Sequence, residues 1–233
     1  DGFASARGEA FAATADNPSA IYYNPAGLTQ LEGDNLRSGI YALYYDATYR
    51  PPDTAPNSGI TYHSEADFAA ATSLFYAHTF KDSRFSAGFG IYAPYGAGLT
   101  WPDATGFRTV GTKSELIYVR FNPVVAVKLL PGLSIGGGAM LDYGRISLEQ
   151  GLRPVYQPPN VNFFHFAGDG LAVGYNLGLL WQPHETISLG ASFRSTTKVT
   201  MDGHTQFQQT PGPIAYTRLP AEADFEFPLT AVI

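Results

Sequence analysis

From Arg37 onward, apolar residues recur at every second position, the period of a β-strand, whose side chains alternate between two faces. Tyr41, Leu43, Tyr45, Ala47 and Tyr49 make the first such ladder; a weaker one runs from Ala66 to Phe80. Phe85, Ala87, Phe89, Ile91 and Ala93 make the third, and Ile117, Val119, Phe121, Val125, Val127 and Leu129 the fourth. Leu133 to Tyr143, Leu171 to Trp181, Ile187 to Phe193 and Phe225 to Ile233 repeat the pattern, which brings the prediction to eight strands. The opposite parity holds mostly Gly, Ser and Ala, with single polar intrusions such as Arg120, Asn122, Asp142 and Arg194.

The first 36 residues lack this period. They are rich in Ala and Gly; Ala10 to Ala15 suits a turn or two of helix ended by Asp16-Asn17-Pro18, and Pro25 and Gly27 enforce a turn. A segment this short holds no core of its own and must pack on the remainder. The predicted organisation is therefore an N-terminal unit over residues 1–36 and a strand region over 37–233.

Connection lengths decide what kind of sheet this is. Lys81-Asp82-Ser83, Leu130-Pro131-Gly132 and Gln182-Pro183-His184 are tight, so their flanking strands run antiparallel. They alternate with long connections at Arg50–Ser64, Tyr95–Lys113, Glu149–Gly168 and Asp202–Arg218. Strict alternation puts every tight turn at one end of the sheet and every large loop at the other, the habit of outer-membrane barrels. A soluble β-sandwich, the competing all-β reading, has no reason to segregate its loops and needs charge on its exposed face.

Composition supports the barrel. Of 233 residues only 15 % are charged, against roughly 25 % in a typical soluble domain, while the hydrophobic fraction is 45 % and the net charge −6. One apolar face toward lipid and one small-residue face toward an interior account for both figures. Tyr49, Tyr95, Trp101, Tyr143 and Trp181 lie near strand ends, where interfacial aromatic girdles would place them. A basic stripe for nucleic acid is missing, and the chain contains no cysteine for a disulfide, a thiolate metal site or a thiol nucleophile. No stretch approaches the roughly 18 apolar residues of a membrane helix. The start at Asp1 shows no basic and apolar leader, so any signal peptide is expected to have been removed or never to have been present.

Candidate chemistry is sparse. Gly132-Leu133-Ser134-Ile135-Gly136 matches G-x-S-x-G, but Ser134 opens an alternating strand where an elbow needs a strand, a sharp turn and a helix. Gly136-Gly137-Gly138 completes no dinucleotide loop and suits a strand facing a lumen or a plug. His63, His78, His165, His184 and His204 are scattered, with no pair at metal-ligand spacing. Glu222, Asp224 and Glu226 share one face of the last strand and read as a lumen stripe. No enzyme, cofactor or metal is expected.

The N-terminal segment carries a more specific signal. Gly2-Phe3, Ser5-Ala6-Arg7-Gly8, Glu9-Ala10-Phe11-Ala12 and above all Asp16-Asn17-Pro18-Ser19-Ala20-Ile21-Tyr22-Tyr23-Asn24-Pro25-Ala26-Gly27-Leu28 resemble the FadL-type long-chain fatty-acid and hydrocarbon transporters of the Gram-negative outer membrane. Ile91-Tyr92-Ala93-Pro94-Tyr95-Gly96 is a second match. The resemblance implies an all-β, antiparallel transmembrane barrel of about fourteen strands, of which about eight are visible here, with a small N-terminal hatch. An eight-stranded barrel is filled by its own side chains, so a hatch of this size implies a larger barrel of which this chain is the N-terminal part. By the same resemblance Asn24, Pro25 and Ala26 belong to the hatch, Phe3 to a gating N-terminus at the pocket, and Pro94, Tyr95 and Gly96 to a strand kink through which ligand leaves sideways. Arg145 and Arg153 are the candidates for a ligand carboxylate. The expected partners are a fatty acid or hydrocarbon ligand and outer-membrane lipid, with no nucleic acid, in a monomer. The readings from other classes are an outer-membrane lipase-like or esterase-like enzyme and a soluble β-sandwich adhesin.

Overall fold

The computed structural model describes residues 2–54, 58–65, 67–154, 162–210 and 216–233. Asp1, Ala66 at the head of the second ladder, and parts of three of the long connections fall outside the described residues. The chain opens with two short helices, α1 (Gly2–Ser5) and α2 (Ala20–Tyr23), and a 3-10 helix over Pro25–Gln30. Strand β1 (Gly33–Tyr45) follows, then the two-residue strands β2 (Thr48–Tyr49) and β3 (Tyr62–His63), which pair with each other. The wall continues through β4 (Asp67–Thr79), β5 (Phe85–Tyr92), β6 (Gly96–Thr100), β7 (Lys113–Leu130), β8 (Leu133–Gly151) and β9 (Asn162–His184). It ends with β10 (Ile187–Arg194), β11 (Thr197–Gln209), β12 (Thr217–Phe227) and β13 (Thr230–Val232).

Every ladder of the wall is antiparallel and joins sequence neighbours. β5 and β6 continue one another along β7, β10 and β11 along β9, and β12 and β13 along β11 and β10. Joined in this way, the segments make eight wall strands in chain order, an up-and-down meander whose first and last members do not pair with each other. The strands outrun their apolar ladders: β8, β9, β11 and β12 extend into what the sequence reads as long loops, and β1 begins at Gly33 rather than Arg37. Polar and glycine-rich strand ends that rise beyond an apolar band keep their backbone ladder while losing the hydrophobic alternation that betrays a strand.

The two faces separate cleanly from the second to the sixth wall strand. Phe85, Phe89, Phe121, Val125, Ile135, Leu141, Tyr143, Leu171, Val173, Tyr175, Leu177, Leu179 and Trp181 are exposed or half-exposed on one side. Leu171 is 78 % and Val173 71 % accessible, and an apolar face this extensive is stable only against lipid or a partner. The run from Leu171 to Trp181 suits the roughly 9–11 residues of a tilted membrane-crossing strand. Across β8, β9 and β11 the band ends in register at Arg145, Asp169 and Asp202. In β11 and β12 the polarity reverses: Val199, Met201, Phe225 and Phe227 turn inward while Lys198, Asp224 and Glu226 turn outward, Lys198 Nζ lying 2.7 Å from Asp224. The Glu222–Asp224–Glu226 stripe thus faces away from the interior, contrary to the lumen reading. The cause is a parity change at Ser195-Thr196, where the register against β9 slips by one residue. The aromatic girdle is also smaller than expected. Tyr143 and Trp181 face outward, but Tyr95 turns inward, and Tyr49 and Trp101 pack on Phe107 among the loops at ring-centroid distances of 4.9 and 5.0 Å.

The sheet wraps the N-terminal segment. Phe11, Ala15, Ala20, Ile21 and Leu28 share a buried cluster with Phe75 and Ala77 of β4, Tyr92 of β5 and Val124 and Ala126 of β7. On the other side the segment lies directly on glycines. A Cβ at Gly136 would stand 2.6 Å from the Pro25 carbonyl carbon, one at Gly178 would overlap the Asn24 side chain, and one at Gly190 would overlap the Ala12 carbonyl. The small-residue parity of β8, β9 and β10 is thus a cradle for backbone. Gly178→Val should destabilise the full-length protein carrying this chain by about 1–3 kcal/mol. It should also speed tryptic cleavage after the exposed Arg7, with the strand region still protected; unfolding curves and limited proteolysis in detergent check both.

Candidate functional site

The third wall strand is interrupted. Tyr92 pairs with Arg120 and Gly96 with Ile117, so Ala93, Pro94 and Tyr95 oppose only Tyr118 and Val119. One extra residue is a β-bulge, which bends the strand and leaves a residue outside the ladder, and Pro94 has no N–H to donate. Two consequences follow. Tyr92 and Tyr95 both turn inward although three positions apart. In addition, β6 leaves its neighbour: β4 pairs with β5 only as far as Leu74–Ile91, while its residues 67–73 pair only with β1 among the described residues. An unpaired stretch, a window in the hydrogen bonding of the wall, therefore lies between β4 and β6 among the described residues. Its far end is closed by the Glu65 N–H donating to the Thr100 carbonyl (2.8 Å). Along β6, Gly98 stands before the Tyr45 hydroxyl, 3.1 Å from where a Cβ would lie.

Behind the break lies an apolar interior. Tyr95 stacks on Phe227 (centroids 4.7 Å) and meets Tyr118 edge-on (5.4 Å), and these adjoin Ile146, Phe166, Val199 and Met201. Gly144, Gly170 and Gly174 let β11 come this close; Met201 Cε would be 2.7 Å from a Cβ at Gly144. Below this cluster, toward the N-terminal segment, runs a polar belt. Arg120 grips Asp142 with two bonds of 2.6 and 2.7 Å, the Tyr118 hydroxyl donates to the same carboxylate (2.6 Å), and Thr197 lies 3.0 Å from that hydroxyl. Asn122 donates to the Ala139 carbonyl (2.8 Å) and to the Asn176 side-chain oxygen (3.2 Å), and accepts from the Tyr92 hydroxyl (2.9 Å). Asn176 in turn donates to the Ile21 carbonyl (3.0 Å). Arg120 and Asp142 are almost wholly buried; a charge pair in such surroundings holds only because each member satisfies the other.

The Asn24-Pro25-Ala26 turn locks the N-terminal segment beneath this belt. Asn24 Nδ2 donates to the Ala12 carbonyl (2.7 Å) and to the Leu179 carbonyl of β9 (2.9 Å), while its Oδ1 accepts from the Ala26 N–H (3.2 Å). Pro25 occupies the first helical position, where a missing N–H costs nothing. Gly27 passes so close to Ala15 that a Cβ would overlap its carbonyl oxygen. Arg194 donates to the Tyr22 carbonyl (2.8 Å) and covers the Tyr22 ring at 4.1 Å, and Thr29 donates to Ser134 (2.7 Å).

Asn24, Pro25 and Ala26 are thus gathered on β8 and β9; Pro94 and Tyr95 lie in the break together with Ala93, whereas Gly96 pairs with Ile117 as the first residue of β6. Phe3 packs edge-on against Phe11 (6.0 Å) beneath Arg7, within the N-terminal segment. Arg145 is exposed on the outward parity with Leu141 and Tyr143, so it does not face the interior. Arg153 lies beyond the end of β8, exposed, with its guanidinium beside the Gln209 amide. Ser134 docks the N-terminal segment within a regular strand. No group of three His, Cys, Asp or Glu residues suited to a metal occurs among the described residues. Tyr92, Arg120, Asn122, Asp142 and Asn176 are not predicted as site residues. Their signal was a polar or bulky side chain on a parity otherwise given to Gly, Ser and Ala.

Long antiparallel strands, apolar toward the outside and wrapped around a small N-terminal segment, define the class of outer-membrane β-barrels. Residues 2–232 match the family model described as outer membrane protein transport protein (OMPP1/FadL/TodX), and the chain belongs to that family. It is an outer-membrane protein of the Gram-negative type, crossing the membrane many times. It is 26 % identical over 204 residues to a 47 kDa outer membrane protein of Pasteurella multocida, covering 82 % of this chain and 46 % of that protein. With the long-chain fatty acid transport protein of Escherichia coli the identity is 24 % over 222 residues, covering 82 % and 47 %. The chain thus spans about half the length of these relatives. Among solved structures, a Pseudomonas aeruginosa FadL homologue superposes with a TM-score of 0.71 at 17 % identity, over 94 % of this chain and 60 % of that one. The Pseudomonas putida toluene transporter TodX gives 0.68 at 17 %, over 92 % and 61 %. These likenesses show the barrel fold.

In the full-length protein, Asp142→Asn should cost about 3–5 kcal/mol by leaving the Arg120 charge buried without its partner. The joint change Arg120→Met with Asp142→Leu should restore most of that loss. Denaturant unfolding in detergent micelles measures both.

Proposed function

We propose that the protein carrying this chain takes up hydrophobic small molecules, long-chain fatty acids or hydrocarbons, without altering them chemically. Ligand is captured among the large loops, enters the apolar interior around Tyr118, Phe166 and Phe227, and leaves sideways into the membrane between β4 and β6. The observation that carries this reading is the coincidence of the Pro94 bulge, the unpaired stretch of β4 and the apolar cluster that Tyr95 joins. Removing apolar surface from water favours capture by about 25 cal/mol per Å², and a sideways exit spares the ligand a passage past the buried Arg120–Asp142 belt. Names of relatives favour the same chemistry: one is a long-chain fatty acid transport protein, and solved structures include toluene transporters and a monoaromatic hydrocarbon channel. In this reading residues 1–36 are a hatch and the N-terminus around Phe3 gates the route.

Liposomes containing the full-length protein should accumulate a labelled long-chain fatty acid or toluene. Deleting Pro94 makes the third strand two residues against two and lets β6 rejoin β4. Uptake should then fall at least about tenfold while the barrel stays folded by heat-dependent gel mobility. Removing residues 1–3 should also slow uptake. Unchanged uptake in the Pro94 deletion would exclude lateral exit.

A further inference from the structure

Tyr92 is the last residue of β5 before the break, and it is tied to the N-terminal segment twice. Its ring is 5 % exposed, stacked on Phe75 of β4 (5.3 Å, 30°) and edge-on to Tyr22 (5.3 Å, 84°). Phe75 lies on β4 one residue from Leu74, the last to pair with β5 before the window begins. The hydroxyl takes a separate route: Tyr92 to Asn122, Asn122 to Asn176, and Asn176 to the Ile21 carbonyl, at 2.9, 3.2 and 3.0 Å. Ring and hydroxyl therefore converge on the adjacent residues Ile21 and Tyr22, and Arg194 holds Tyr22 by its carbonyl and its ring. No spare volume separates these groups. A Cβ at Gly90 would stand 3.0 to 3.1 Å from Ile21, Phe75 and Tyr92 at once.

From this arrangement we propose that Tyr92 is a positioning residue, a latch that couples displacement of the plug to widening of the window. The inference rests on the lateral-exit reading above. While Ile21 and Tyr22 stay seated, Tyr92 is pinned from two sides and holds the base of the window at its present width. When the plug moves, the Asn176–Ile21 bond and the Tyr22 ring contact are lost together, and Tyr92 is left with the wall alone, its hydroxyl on Asn122 and its ring on Phe75, so that it can shift with the wall strands. Two polar amides facing each other across β7 and β9 in an otherwise small-residue interior then have a purpose: they transmit the position of a carbonyl on the plug to a hydroxyl on the wall.

The test is a double-mutant cycle in the full-length protein, reconstituted in liposomes and assayed with sub-saturating labelled long-chain fatty acid and with toluene. Tyr92→Phe removes the hydroxyl and keeps the ring; Asn176→Ala removes the bond to Ile21. Each should raise initial uptake about fivefold, the equivalent of one neutral hydrogen bond, and the pair together should do no more than either alone. Asn122→Leu, near-isosteric, breaks the same relay in its middle and should give the same rise. Residues acting independently would show multiplied effects, and a purely structural role would show lower uptake with a lower unfolding temperature; either result, or no change in the single variants, overturns the latch. The Pro94 deletion separates the two ideas. If it abolishes uptake while the cycle multiplies, only the latch fails; if it leaves uptake intact, the lateral exit and the latch fail together.

Discussion

A strand that faces lipid has no water to satisfy its backbone, so each N–H and C=O must be paired by a neighbouring strand. Between its two open edges, at β1 and at β12 with β13, the meander satisfies that demand along nearly all of its length, and this makes its internal exception informative. The third wall strand breaks at Ala93–Tyr95, and the stretch of β4 beyond Leu74 loses its neighbour. Around this departure the Pro94 bulge, the inward Tyr92 and Tyr95 and the interior cluster are arranged.

The interior is layered for a related physical reason. Groups buried inside the wall need partners as strictly as groups in the lipid. Arg120, Asp142, Tyr118 and Thr197 satisfy one another, and Asn122 and Asn176 join the Tyr92 hydroxyl to the Ile21 carbonyl. The belt separates the apolar cluster around Tyr118 and Phe227 from the cluster around Ile21 and Leu28. Glycines on the same parity, Gly136, Gly178 and Gly190, bring the strands directly against the N-terminal segment.

Much of this was legible because lipid on one side and a closely packed interior on the other impose opposite demands on alternate residues. The eight ladders, the tight turns at one end and the turn at Pro25 and Gly27 all follow from period, Pro and Gly, whereas the part given to Asn24, Pro25 and Ala26 came from the resemblance alone. The errors share one origin. Parity carries a face from one residue to the next only while the ladder is unbroken, and a one-residue slip reverses it. Phe225 and Phe227 therefore look lipid-facing in sequence but turn inward, Glu222, Asp224 and Glu226 do the reverse, and Tyr95 leaves the girdle for the interior. Arg145 sits on the outward parity of an unbroken strand, so its position was readable from Leu141 and Tyr143 beside it.

The sequence by itself determined the class of wall, its strand order and the presence of a separate N-terminal segment, because alternation, turn chemistry and low charge are local properties. Only the tertiary structure decided which polar residues meet. Arg120 finds Asp142 across one ladder, but Asn122 reaches Asn176 across two, and Asn176 reaches Ile21 from the far side of the chain. Such contacts depend on register, on strand curvature and on where the plug comes to rest. None of these is written in any single stretch of residues.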